Sequence, residues 1–197
     1  MVSILDALHH LRWLIPVNRW SPVLGLLGLV VCVLIWRPVA SLTGWRSSPT
    51  LLSLLSLVAA LTLTLTPKGW KGNHRTLAQC MPSDWAQFGA SVSHVGVNVE
   101  SWLNIAMLMP LGFALVLATR RMVWPGLLVV LLPVGIELTQ VLIPGRECSV
   151  SDWIANALGG LAGVIIGGLT QRWLRARKAA RAGTPPASTP DALSRTP

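Results

Sequence analysis

Residues 124–171 read "WPGLLVVLLPVGIELTQVLIPGRECSVSDWIANALGGLAGVIIGGLTQ". Two apolar blocks, 124–143 and 153–171, flank one short polar turn. Each block is close to the roughly 17–25 residues that a helix needs to cross a hydrocarbon core of about 30 Å. Neither alternates with a period of two. A barrel is therefore excluded, and helices are left as the way to satisfy the backbone in lipid. Outward from this pair lie three more apolar blocks: 101–119, 50–66 (stopped by Pro67) and 21–36. The expected fold is all-α, a polytopic membrane protein with about five transmembrane helices. Ahead of them, residues 1–20 carry Leu5, Leu8, Leu11 and Leu14 among polar residues, the pattern of an amphipathic helix lying at the interface. A cleaved signal peptide would need small residues after the first apolar block, but "WRPVAS" supplies Arg and Pro. The expected organisation is an interfacial segment (1–20), a membrane domain (21–171) and a basic tail that becomes disordered (172–197), its end rich in Pro, Ser and Thr.

Composition agrees. The chain is 52% hydrophobic and only 12% charged, with a mean hydropathy of +0.59. A soluble domain would carry about 25% charged residues. The net charge of +9 does not point to nucleic acid, because the basic residues sit between apolar blocks and after the last one, with no basic stripe or nucleic-acid motif. Trp20, Trp36, Trp102, Trp124, Trp153 and Trp173 stand at block edges, where indole favours the headgroup boundary. With five spans the two ends lie on opposite sides. The Lys and Arg residues up to Arg181 then divide nine to six, the larger group including Arg172, Arg175, Arg177, Lys178 and Arg181. The positive-inside rule places that tail in the cytoplasm.

On either orientation the 67–100 loop and the 144–152 turn share a side. That side is expected to be oxidising, so Cys80 and Cys148 are expected to form a disulfide; two unpaired thiols are the alternative. Cys32 lies within a span as an apolar residue. His9, His10, His74 and His94 are scattered, no zinc spacing occurs, and neither metal nor cofactor is expected.

The polar residues of this side form a constellation. Glu137 lies six residues back from Ile143, about 9 Å below the boundary at 1.5 Å per residue, with Gln140 on the same helix face. A carboxylate at that depth should face helices or a cleft rather than lipid. Arg146 follows the turn and is expected to dip inward and pair with Glu137; Asp152 at the rim is the other candidate partner. Ser149 or Ser151 should cap the fifth span, with Asp152 in its first turn and Asn156 one turn deeper. Asn104 enters from the third span, which Pro110 and Gly112 should loosen. Gly159, Gly163 and Gly167 recur every four residues, a stripe that lets another helix pack closely. Asn104, Glu137, Gln140, Arg146, Asp152 and Asn156 are thus expected to form one polar ligand-binding site. Helix capping and interhelical hydrogen bonds are the structural alternative.

"ESWLNIAMLMPLGFAL" and "GIELTQVLIPGRECSVSDWIANALGGLAG" together resemble the VanZ-like family of bacterial membrane proteins. The matching positions are Asn104, Pro110, Gly112, Glu137, Gln140, Arg146, Asp152, Asn156 and Gly159, within residues 98–168. The resemblance implies a small multi-pass protein of the bacterial cell (plasma) membrane and envelope. The family's founding member is linked to teicoplanin resistance.

Three functions are expected to compete. The first is recognition of an anionic lipid or lipid-linked cell-wall precursor, with Arg146 on phosphate or carboxylate. The second is a membrane hydrolase or transferase with Glu137 as general base. The third is a scaffold whose glycine stripe holds a membrane-protein partner or a second copy.

Overall fold

The structure is a computed structural model that describes residues 20–67, 80, 82–143, 145–146 and 148–182. The expected interfacial helix over 1–20 and the tail beyond 182 lie outside the described residues. Among the described residues six helices follow one another: α1 (Ser21–Thr43), α2 (Ser47–Leu65), α3 (Trp85–Ser93), α4 (Val99–Thr119), α5 (Val123–Gln140) and α6 (Val150–Ala182). Five of them, all but α3, are long and apolar enough to cross a membrane.

Two spans outrun their hydropathy. The apolar block of α1 stops at Trp36, yet the helix continues through Arg37 and Pro38 to Thr43. It ends where Gly44 takes the left-handed conformation, φ +68°. Helix α6 has 33 residues, about 50 Å at 1.5 Å per residue, so it projects well past a core of about 30 Å. Its basic end, Arg172 to Arg181, is therefore helical, with Arg177 stacked 3.7 Å over the Trp173 ring. Charge ends a span, but it does not end a helix whose backbone bonds are all local.

The centre of the bundle is the α4–α6 pair, its largest interface. The two helices run parallel and touch backbone to backbone. A Cβ at Gly159 would collide with the Ile105 carbonyl, one at Gly163 with that of Met109, and one at Gly167 would lie 3.0 Å from the Phe113 oxygen. Gly112 returns the contact against Gly160 and Val164. The glycine stripe thus belongs to the inside of this fold. Helix α4 runs unbroken through Pro110, so Gly112 serves close approach and not the loosening expected from the sequence. Leu108, Leu111, Leu115 and Val116 of α4 join Ala60, Val129 and Val164 in the core. Helix α1 packs on α2, where Gly28 admits Val58. Many of its other side chains, Leu26 and Leu34 among them, are exposed, as on a face turned to lipid.

Candidate functional site

The site lies where α5 ends and α6 begins. Helix α5 stops at Gln140, three residues before the end of its apolar block. Glu137 is therefore about 4.5 Å from the helix end at 1.5 Å per residue, half the depth expected. Tight turns follow: Leu142 N–H donates to the Thr139 carbonyl at 3.0 Å and Ile143 N–H to that of Gln140 at 3.0 Å. Gly145 then adopts φ +76°, a left-handed conformation that costs glycine nothing, and Arg146 turns inward.

The inward turn is as expected, but the partner is not Glu137, with which Arg146 makes no direct ion pair. The guanidinium lies against the far end of α2: Nε donates to the Thr66 carbonyl at 2.8 Å and Nη2 to that of Leu63 at 2.5 Å. Gln140 Nε2 donates to the Thr64 carbonyl at 3.1 Å. The last carbonyls of a helix lack intrahelical donors and carry the negative end of its dipole. Arg146 (9% exposed) and Gln140 (7% exposed) satisfy them. Burial pulls the Arg146 guanidinium below its usual pKa, and the negative charge of Glu137 acts in the opposite sense. The hydroxyl of Thr66 also accepts from Ser21 Oγ at 3.2 Å, so the start of α1 joins the same knot.

Glu137 finds its partner across the turn, where its Oε2 accepts the Ser149 N–H at 2.8 Å. Ser149 also caps α6: its Oγ accepts from Asp152 N–H at 3.4 Å and shares a hydrogen with Ser151 Oγ at 2.7 Å. Asp152 stands in the first turn of α6, as expected, and within electrostatic range of Glu137. Asn156, one turn on, is 2% exposed, and its Oδ1 has no hydrogen-bond partner. Asn104 is half-buried on α4.

Two clefts open around Ser149. A polar one of about 570 Å³ is lined by Gln87 and Ser91 of α3, by His94 at its C-cap and by Ser149 and Ser151. An apolar one of about 280 Å³ is lined by Phe88, Val134, Leu138 and Trp153, with Glu137 among them. Cys80, Pro82, Cys148, Ser149 and Val150 belong to both walls. Cys80 and Cys148 form the expected disulfide, Cα–Cα 5.6 Å. The bridge ties the segment before α3 to the α5–α6 turn.

The structure thus divides the expected constellation. Glu137 lines a cleft, while Gln140 and Arg146 close the end of α2. Asn104, Asp152 and Asn156 line neither cleft. Helix α3, which supplies one wall, was not expected from the sequence. Its signal was there in "SDWAQ": Asp84 Oδ1 accepts from Gln87 N–H at 2.8 Å, and Gln87 Oε1 accepts from Ser83 N–H at 3.0 Å. Asp84 thus caps α3, as in one half of a capping box, while the Gln87 side chain reaches back to the residue before the cap.

Five apolar spans around a small-residue helix pair, with a two-part recess at one end, define a multi-pass helical membrane protein. Within that class, the chain belongs to the VanZ/LLP1 family, whose profile matches residues 26–171. The match takes in most of α1 and all of α2, which the motifs over 98–168 did not reach. No curated protein and no solved structure gives a match.

Proposed function

We propose that this protein binds a membrane amphiphile, a lipid or lipid-linked glycan, at one face of the bacterial plasma membrane. The head group occupies the polar cleft and the chain occupies the apolar groove. One observation carries the reading: a hydroxyl- and amide-lined cleft and a hydrocarbon-lined groove share a wall that includes Ser149, and Glu137 meets that wall from the groove side through the Ser149 N–H. A polar recess alone would suit a soluble ligand, and an apolar one alone a lipid tail. Contiguity at a membrane boundary suits a molecule that has both parts. Arg146 is not given a ligand role, because its donors hold α2.

A lipid-linked cell-wall precursor has this shape, and through it the reading extends to teicoplanin-type resistance. A change in teicoplanin susceptibility on deletion of the gene tests that extension. The enzymatic alternative keeps the same ligand and uses the second Glu137 oxygen as general base beside the Ser149–Ser151 hydroxyls.

The experiment is native mass spectrometry of the full chain extracted in lipid nanodiscs. A retained amphiphile is expected from the wild type. It should be lost in Leu138→Trp, which fills the groove, while melting is unchanged. A wild type that carries no defined lipid refutes the proposal. Conversion of the retained species over time, abolished by Glu137→Gln, favours the enzyme.

A further inference from the structure

We propose that α3 lies in the membrane interface, with its outward face set in the lipid leaflet and its inward face walling the polar cleft. This holds whether or not the cleft takes an amphiphile, because it concerns the wall and not the ligand. The side chains of α3 are distributed the wrong way round for a helix in water.

Gln87, Ala90 and Ser91 of α3, with His94 at its C-cap, line the polar cleft together with Ser149 and Ser151. Their side of the helix is the one turned to the protein. Trp85, Gly89 and Val92 stand at i, i+4 and i+7, and so share a face. Trp85 is two residues from Gln87, about 200° round the helix, which turns this second face away from the cleft. It is apolar and exposed, Trp85 to 86%. A helix covering the bundle in water would show the opposite arrangement, apolar side inward and polar side outward. No Asp, Glu, Lys or Arg occurs from 85 to 99. Interfacial helices usually carry Lys and Arg on their polar side, where it meets head groups; here that side meets the protein instead.

Phe88, on one flank between the two faces, sets the level of the helix. It lines the apolar groove with Val134 and Leu138 of α5, and Val134 is six residues before the end of that span, about 9 Å at 1.5 Å per residue. Ser93, on the other flank, is exposed. Beyond α3 the exposed apolar residues go on through Val97 and Val99 to Trp102 and Leu103 of α4, itself a span. The turn between is folded onto α4, where Gly96 N–H donates to Ser101 Oγ at 2.7 Å. The outward face of α3 is thus carried on into a membrane-spanning surface. Indole, present at Trp85 and Trp102, favours the headgroup level.

The test is spin labelling of the full chain in vesicles of phosphatidylcholine and phosphatidylglycerol. A Cys32→Ala background removes the free thiol, and Trp85→Cys, Gly89→Cys, Val92→Cys and Ser93→Cys are labelled singly. Leu131→Cys, on the exposed side of α5, is the lipid reference, and Ala179→Cys is the aqueous one. Power saturation compares collisions with oxygen, which concentrates in lipid, and with a nickel chelate, which stays in water. At 85, 89 and 92 oxygen should exceed nickel, as at 131; at 93 and 179 nickel should exceed oxygen. An excess of nickel at 85, 89 and 92 puts the face in water and overturns the inference. Low access to both reagents there means that a second copy or another protein covers the face, and overturns it equally. An excess of oxygen at 93 as well sinks the whole helix into the hydrocarbon and overturns its place in the interface. The labelled positions are exposed, and 85, 89 and 92 carry the same expectation independently, so any one that folds decides the matter.

Discussion

Replacing Arg146 by alanine removes two hydrogen bonds at once, those to the Thr66 and Leu63 carbonyls. Each joins a charged donor to a backbone acceptor, and such bonds contribute about 1.5–3 kcal/mol, so the pair sums to roughly 3–6 kcal/mol. The upper half of that range requires the carbonyls to stay dry after the change. Arg146 is 9% exposed, so water reaches the vacated end of α2 only in part, and about 3–4 kcal/mol is the expected loss. Arg146→Lys presents a single point of donation in place of a planar fork and should recover about half of it. Unfolding by denaturant in mixed micelles measures both variants. The decisive measurement is the double variant Arg146→Ala with Glu137→Gln. If the arginine stabilised the protein by neutralising Glu137, removing the second charge would restore most of the loss, since an uncompensated buried carboxylate would no longer remain. In this structure the loss arises at the end of α2, so the double variant should be no more stable than the single within about 0.5 kcal/mol. Recovery of more than half the loss refutes the capping role.

Three further outcomes are expected. Gly163→Ala pushes a methyl into the Met109 carbonyl and should cost about 1–3 kcal/mol, whereas Gly135→Ala, with nothing within 4 Å of the new Cβ, should be neutral or stabilising by up to about 1 kcal/mol; parallel melting curves in one detergent compare them. Cys148→Ser should lower stability by about 2–4 kcal/mol, and non-reducing peptide mapping of natively expressed protein should find Cys80 linked to Cys148; two free thiols would refute the bridge. For orientation, a cysteine at Ala179, on the exposed basic end of α6, should resist a membrane-impermeant thiol reagent in intact cells, while one at Ser93 should label readily; the reverse pattern inverts the topology.

Five spans, a close-packing glycine face on the last of them and the shared side of the two cysteine loops were legible in the residues themselves; that α4 is the helix packed on that face came from the structure. Each depends on local properties: hydropathy over about twenty residues, a four-residue spacing of small side chains, and the alternation of sides from span to span. A helix in lipid closes its backbone bonds within its own segment, so its existence is written in that segment. The wall helix α3 carried a local signal of the same kind, the Asp84 cap, but no helix was expected there.

The tertiary structure alone decided what the polar residues do. Arg146 and Glu137 are nine positions apart in the chain and looked like natural partners. The carbonyls that Arg146 holds belong to Leu63 and Thr66, some eighty positions away. Every helix ends with carbonyls that need donors. Which donor arrives is settled by how α2 packs against the end of α5, and no pattern within either segment records that. The same packing leaves Glu137 to Ser149, which lines both clefts, and sets the carboxylate in the apolar one.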